Sequence, residues 1–312
     1  MSSTPGSATH TAVIAVCTFR RNDQLAALVE RIAGLAATEV ADGTIAIVVV
    51  DDSPEGGAGE VVAGLRATVA IPLEYRNTAS ADIAIARNCA IETAMALGEF
   101  VACLDDDCVP DPGWLRELLR VARIRQADIV VGHRAFFAAA EAPPWLSSEP
   151  FLEENALYAD ESVPTSGNTA NVLLRSAWLA ASGVRFRAEL GKVGGEDMVF
   201  FADAGAAGAE IRFAAGSVSH EPCDGRRATF RYQLWRQAWL GNNEAVINHS
   251  THAVAPSRLL LRGARRAARG VAHPIVQLAH RSAPQFRWAL AFAGRGVGLV
   301  LGVCGVRLRH RS

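Results

Sequence analysis

Acidic residues run out at Glu244: the 68 residues after it hold eleven arginines and neither aspartate nor glutamate. The net charge of −1 over 312 residues therefore conceals a stretch, residues 1–244, that carries −12, and a tail that is wholly basic. A split of this kind predicts an anionic partner for the tail alone. Zinc-like spacing is also missing among Cys17, Cys89, Cys103, Cys108, Cys223 and Cys304, which read as reduced thiols in a cytosolic compartment. Met1 to His10 is small and polar, with no basic start and no apolar run, so residues 1–10 are expected to be disordered and no secretory signal is expected. Gly57 and Gly59 lack a third glycine at position 62 and follow the second apolar run, not the first, which argues against a dinucleotide fingerprint.

What the chain does have is apolar runs that end in acids. Phe100 to Leu104 is a continuous apolar strand followed directly by Asp105, Asp106 and Asp107. Open α/β sheets bind ligands at the carboxyl ends of their strands. Neighbouring carboxylates repel unless a cation lies between them, and Asp105 and Asp107, two apart, point to one side of an extended backbone. Such hard oxygen donors suit Mg²⁺ or Mn²⁺ with substrate phosphates completing the shell. An acidic surface turn is the plain alternative for the triplet taken alone.

Further strands are expected at Thr11 to Cys17, Ile45 to Val50, Val69 to Tyr75 and Asp128 to Val131. Helices alternate with them: Asn22 or Asp23 is placed to cap the first, Ser80 or Asp82 the third, and Gly98 to end that third helix. Alternation over the first 135 residues means a doubly wound α/β sheet, mainly parallel, with helices on both faces. Ile211 to Phe213 and Ser217 to Ser219 read as two short strands, with His220-Glu221-Pro222 breaking the second. Arg227 to Val246 reads as a helix that buries Phe230, Leu234, Trp235 and Trp239 and leaves Arg227, Arg231 and Arg236 for a ligand.

The motifs in order carry a resemblance. They are Val16 to Arg21, Val50-Asp51-Asp52-Ser53, Ala86-Arg87-Asn88, Phe100 to Asp107 with Pro110 and Trp114-Leu115, Gly167-Asn168 before a strand, and Gly194-Gly195-Glu196-Asp197. Over about residues 11–245 the chain resembles inverting family 2 glycosyltransferases of the GT-A (Rossmann-like) fold, in the bacterial exopolysaccharide, succinoglycan-type branch. The resemblance implies transfer of a sugar from a nucleotide diphosphate sugar to a hydroxyl of a glycan or lipid-linked acceptor, aided by Mg²⁺ or Mn²⁺. Thr18, Phe19 and Arg20 would line the nucleotide pocket, Asp51 or Asp52 would accept from the base, Arg87 would approach the diphosphate, and Asp106 would stand among the donor contacts. Asp105 and Asp107 would hold the metal, Asp107 more directly, with His220 a further candidate ligand. Asp197 would be the general base, with Glu196 beside it. Asp82 departs from the family's usual glycine and would repel a diphosphate unless it caps its helix and points away. Plainer readings also stand: Asp51 and Asp52 as a turn, Arg87 paired with Glu92 or another surface acid, Glu196 and Asp197 as helix N-terminal charge. A structural cap, however, would not require two glycines ahead of it.

Two other classes share part of this pattern. A nucleotidyltransferase acting on sugar phosphates also uses paired aspartates and a metal, and a non-catalytic nucleotide-sugar-binding relative would keep the pocket without the reaction. Nucleic acid is not an expected partner. Residues 246–312 form the basic, acid-free segment. Leu259 to Leu261 among Arg258, Arg262, Arg265, Arg266 and Arg269 is amphipathic, and Trp288 to Val306 is apolar for 19 residues, interrupted by Arg295. An anionic membrane surface is the expected partner, with the enzyme cytoplasmic and peripheral on the inner face of the plasma membrane. The same segment could instead dock on the acidic catalytic domain. Five glycines in the apolar run are expected to weaken it as a helix.

Overall fold

The computed structural model describes residues 9–40, 44–152, 157–164, 167–251 and 254–308. The expected disorder of residues 1–10 falls mostly outside these; His10 already opens the first strand. The chain divides into two compact units, one of residues 1–135, 156–191 and 196–221, the other of 136–155, 192–195 and 222–312.

In the first unit, strands and helices alternate in the expected order: β1 (His10–Thr18), α1 (Asn22–Glu39), β2 (Ile45–Asp51), α2 (Ala58–Leu65), β3 (Leu73–Asn77), α3 (Ile83–Met95), β4 (Gly98–Leu104), β5 (Val109–Pro110), α4 (Trp114–Ile124) and β6 (Ile129–Ala138). After the short α5 (Pro144–Ser148), which belongs to the second unit, come β7 (Asn171–Arg175), α6 (Ser176–Ser182), α7 (Glu196–Ala206) and β8 (Ile211–Cys223). The sheet runs β3-β2-β1-β4-β7-β6-β8-β5. β3, β2, β1 and β4 are parallel, but β7 is antiparallel to β4, β6 to β7, and β5 to β8. The sheet is thus mixed, parallel only in its first half.

Period-two alternation sends side chains into two cores. Ile14, Val16, Ile47, Val49, Phe100 and Leu104 join one with α1, α2 and α4; Val13, Ala15, Val48, Val50, Val101 and Cys103 join the other with α3, α6 and α7. Strands buried on both faces read as unbroken apolar runs, which is why they were visible.

Several local expectations are corrected. β3 starts only at Leu73, because Thr68 and Val69 still bond back to Leu65 as the end of α2. Neither Asn22 nor Asp23 caps α1; Arg21 is the capping residue and contributes no side-chain bond. Gly98 does not terminate α3 but begins β4, where a Cβ would fall 2.7 Å from Val13 Cγ2. β8 is one strand of 13 residues, and His220 to Pro222 do not break it.

The second unit holds α8 (Phe230–Thr251), α9 (Pro256–Ala279) and α10 (Phe286–Val303). The buried face of α8 is not aromatic: it carries Gln233, Gln237, Gly241, Asn242 and Asn243, while Leu234 is exposed. The glycines of the apolar run explain this. A Cβ at Gly298 would lie 1.9 Å from Ala238 O, and one at Gly241 1.9 Å from Arg295 O, so α10 meets α8 backbone to backbone. α9 approaches as closely, with Gly263 against Gly296 and Gly270 against Ala289 and Ala293. The glycines serve helix packing here rather than weakening the helix. Asn242 Nδ2 donates to Gly298 O (3.2 Å) and Val306 O (3.0 Å). Arg295 Nη1 donates to Gln237 Oε1 at 3.3 Å.

Candidate active site

The carboxyl ends of β1, β2 and β4 form one rim. β1 and β4 are neighbours, and from β1 the Thr18 hydroxyl donates to Asp106 Oδ2 at 2.9 Å. Arg21, just past β1, spans Asp106 (2.8 Å) and Asp107 (2.9 Å) with one nitrogen. This cation answers the repulsion inside the triplet, and sequence reading had given it no role. Asp106 is buried, and burial pushes its carboxyl from the usual 3.8 up to about 6 against the pull of Arg21.

Asp105 faces the other way, 3.4 Å from Arg87 Nη2. Arg87 is held by α3, and its Nη1 donates to Glu196 on α7. One guanidinium therefore joins the acidic rim to the acidic start of α7, instead of pairing with Glu92, which takes Arg185. Phe186 lies under it, 5.7 Å from ring centre to guanidinium carbon. Burial raises Glu196 above the ordinary carboxylate value, with Arg87 opposing; Asp197, half-buried, is raised by the same cause.

Asp51 is fully buried and saturated: Oδ1 accepts from the Ser53 amide and hydroxyl, Oδ2 from Ala58 N and Tyr75 OH. Asp52 Oδ1 takes Thr78 Oγ1, Ser80 N and Ser80 Oγ, and among the described residues its Oδ2 takes only Asp82 N. Asp82 does cap α3, accepting from Ala84 N and Ile85 N. Phe19 is about one-third exposed, with Arg20 stacked 5.0 Å above its ring and paired to Glu55.

For a metal, the ligand atoms of Asp107, Cys108 and Glu221 lie within 4.8 Å of one another. Glu221 reaches there from β8 and also accepts from Arg134 at 2.8 Å. His220 points its Nε2 instead to Asp111 Oδ2, 2.9 Å away. The two carboxylates of this cluster, Asp107 and Glu221, suit a hard divalent cation. Burial holds the Cys108 thiol protonated, its pKa raised further by Asp105, Glu221 and Asp107. Neither Glu221 nor Arg134 was named as a site residue; the signal for Glu221 was that it, beside His220, also fits the pattern of the resembled branch.

Immediately before α7, Gly194 (φ 91°) and Gly195 (φ 86°) are both left-handed. A Cβ on Gly194 would fall 2.3 Å from the Trp239 ring, and one on Gly195 2.7 Å from the Asn243 amide. The Asn243 amide donates to Gly194 O (2.8 Å) and accepts from Gly195 N (3.0 Å), and Trp239 Nε1 donates to Val193 O (3.0 Å). The glycines thus answer to tight packing and turn geometry.

A parallel half-sheet whose strand ends offer acids, two arginines and an acidic helix start suits an activated, phosphate-bearing donor. The chain belongs to glycosyl transferase family 2, whose sequence profile matches residues 13–178. It is 35% identical over 225 residues to succinoglycan biosynthesis protein ExoM of Rhizobium meliloti (strain 1021), covering 72% of this chain and 71% of that one. Mannosyltransferase PcManGT from Pyrobaculum calidifontis, solved with GDP-Man and Mn²⁺, is 18% identical with a TM-score of 0.62, over 95% of this chain and 88% of that one. S. aureus TarS 1-349, solved with UDP-GlcNAc, is 14% identical with a TM-score of 0.53, over 95% and 92%. The protein is a glycosyltransferase, moving a sugar from a nucleotide-sugar donor to an acceptor.

Proposed function

We propose that this is a metal-dependent, inverting GT-A enzyme that transfers a sugar from a nucleotide diphosphate sugar to a glycan or lipid-linked acceptor during cell-surface polysaccharide synthesis. The observation that carries the reading is the Arg87 bridge between Asp105 and Glu196, which ties the diphosphate end of the site to the start of α7. Asp107, with Asp105 and Glu221, would hold Mg²⁺ or Mn²⁺, which would supply positive charge to offset that of a leaving diphosphate. Arg87 and Arg21 add fixed positive charge on the same side. Asp197 accepts the proton of the acceptor hydroxyl as the new bond forms, and one displacement with one base inverts the anomeric centre. Glu196, committed to Arg87, positions that arginine. Asp52, just past β2 and with a less occupied oxygen than Asp51, would accept from the base, with Thr18, Phe19 and Arg20 lining the same pocket. The acid-free tail supports work at the inner face of the plasma membrane, where a lipid-linked acceptor would share the surface.

The test is donor binding with and without metal. A nucleoside diphosphate should raise the melting temperature in Mn²⁺ or Mg²⁺ and much less in EDTA, through ligand linkage. Equal shifts in both would remove the metal from the reading. Release of free nucleoside diphosphate, not pyrophosphate, separates this reaction from nucleotidyl transfer.

A further inference from the structure

The three faces of α9 differ in chemistry. At roughly 100° per residue, Leu259, Gly263, Gly270 and Pro274 fall on one stripe, which is buried. Next to it runs a stripe of Leu260, Val271, Ile275 and Leu278, all exposed; Val271 and Ile275 keep 69% and 68% of their surface. Beyond that stand Arg258, Arg262, Arg265 and Arg269. α10 repeats the first two faces, with Phe286, Leu290, Val297 and Leu301 exposed beside the seam made by Ala289, Ala293 and Gly296.

The contacts of Gly263 with Gly296 and of Gly270 with Ala289 and Ala293 make the two helices antiparallel. On each helix the apolar stripe is displaced from the contact line in the same rotational sense. In an antiparallel pair, equal displacement brings both stripes to one side. The second unit therefore presents a two-helix apolar face; on α9 Arg265 is the arginine nearest its outer edge, and Arg258, Arg269 and Arg262 stand further round the helix. A monomer seldom exposes so extended a patch without a partner.

We infer that this face lies flat in the interface of an anionic bilayer, with α10 in the membrane plane and not across it. The inference rests on the reading that the enzyme works at a membrane, and deepens it by assigning the face and the mode. α10 is long and apolar enough to cross, by length and composition. Its remaining faces, however, are taken up by backbone-close packing on α8 and α9, and Arg295 at its middle donates to Gln237. Crossing would break those contacts and leave the buried amides of α8 without their partners on α10. Charge favours lipid over a second copy as the occupant: one two-fold arrangement would bring the arginine edges together and the other would set them beside an α10 that carries no acid, whereas anionic headgroups would accept them. Only Glu244 offsets the α9 arginines from α8, through Arg262 and Arg266.

The experiment uses full-length protein and the variant Ile275→Asp/Leu290→Asp, both substitutions at exposed positions. Vesicles of phosphatidylcholine with phosphatidylglycerol should float the native protein, and pure phosphatidylcholine vesicles should float much less. The variant should keep its melting temperature and lose flotation about ten-fold or more. Carbonate at high pH should strip the native protein from the vesicles. Equal flotation of the variant would overturn the face, and resistance to carbonate would overturn the in-plane mode. A native dimer that the substitutions dissociate would make the face an interface between copies and overturn the lipid. Release of nucleoside diphosphate from donor without vesicles is measured alongside. Its loss in the native protein would count against the transfer reading, and its presence without flotation against the membrane alone.

Discussion

Replacing Arg87 by methionine separates what that residue does for folding from what it does for transfer. Its side chain is 14% exposed and that of Glu196 10%, so the substitution strands a carboxylate in a nearly dry place. Removing one partner of a buried pair costs about 3–5 kcal/mol. A shift of about 2–4 °C per kcal/mol then puts the fall in melting temperature at roughly 6–20 °C. Glu196 is already raised by burial, so without Arg87 it takes up a proton and the loss is smaller in mild acid. Adding Glu196→Gln removes the stranded charge, and Arg87→Met/Glu196→Gln should regain most of the lost stability. It should not regain transfer, since a fixed cation at a developing charge is worth about 10²–10³ in kcat. The assay is a double-mutant cycle in urea at pH 7.5 beside nucleoside diphosphate release. Additive destabilisation would show that the pair is not coupled, and a single variant with native kcat would remove Arg87 from the diphosphate.

Asp197→Asn should keep donor-induced thermal stabilisation and lower kcat by about 10²-fold or more, as for a base acting in the transition state; native turnover would reassign the base. Gly195→Ala should lower the melting temperature by several degrees, about 1–3 kcal/mol, because a left-handed backbone and the Asn243 amide both exclude a Cβ; an unchanged melting curve would refute that. Asp106, Glu196 and Asp197 all have raised values in the fold, so each binds its proton more tightly folded than unfolded. The stability they contribute is present at low pH and is lost as pH rises from their ordinary 3.8 to 4.5 through the raised folded values. Transfer should move oppositely, with kcat rising through an acid limb above the usual aspartate range as Asp197 ionises; parallel trends in melting temperature and kcat would contradict the assignment.

The parallel half of the sheet was legible because a strand covered on both faces is a continuous apolar run, and β1, β2 and β4 are such runs. The acidic triplet and the start of α7 were legible because each sits where a run changes to polar residues. Partners distant in sequence were not. Arg21 meets Asp106 across 85 residues and Arg87 meets Glu196 across 109, and neither pairing leaves a local trace. Glu39 is the clearest case. A helix-end glutamate looks solvent-bound, yet it is buried and accepts from Gly113 N, Leu115 N and Arg116 N, capping α4 from 74 residues away. The face of α8 was misjudged because aromatic spacing suggests burial, while closely spaced backbones leave room only for small residues and amides.

The seam between α8 and α10 also bears on how this sequence is free to change. Gly241 and Gly298 sit where an added methyl would overlap a carbonyl oxygen, and Asn242 bonds backbone on both sides. Seen as inheritance, such a joint has no conservative neighbours in sequence space: the smallest enlargement is already too large. Variation is channelled to the outward stripes of α9 and α10, where a change of side chain meets no protein. A saturation library of residues 230–308 should accordingly return a barcode, with intolerant positions at helical spacing along the seam. Between them lie positions whose tolerance depends on whether selection is made with or without lipid.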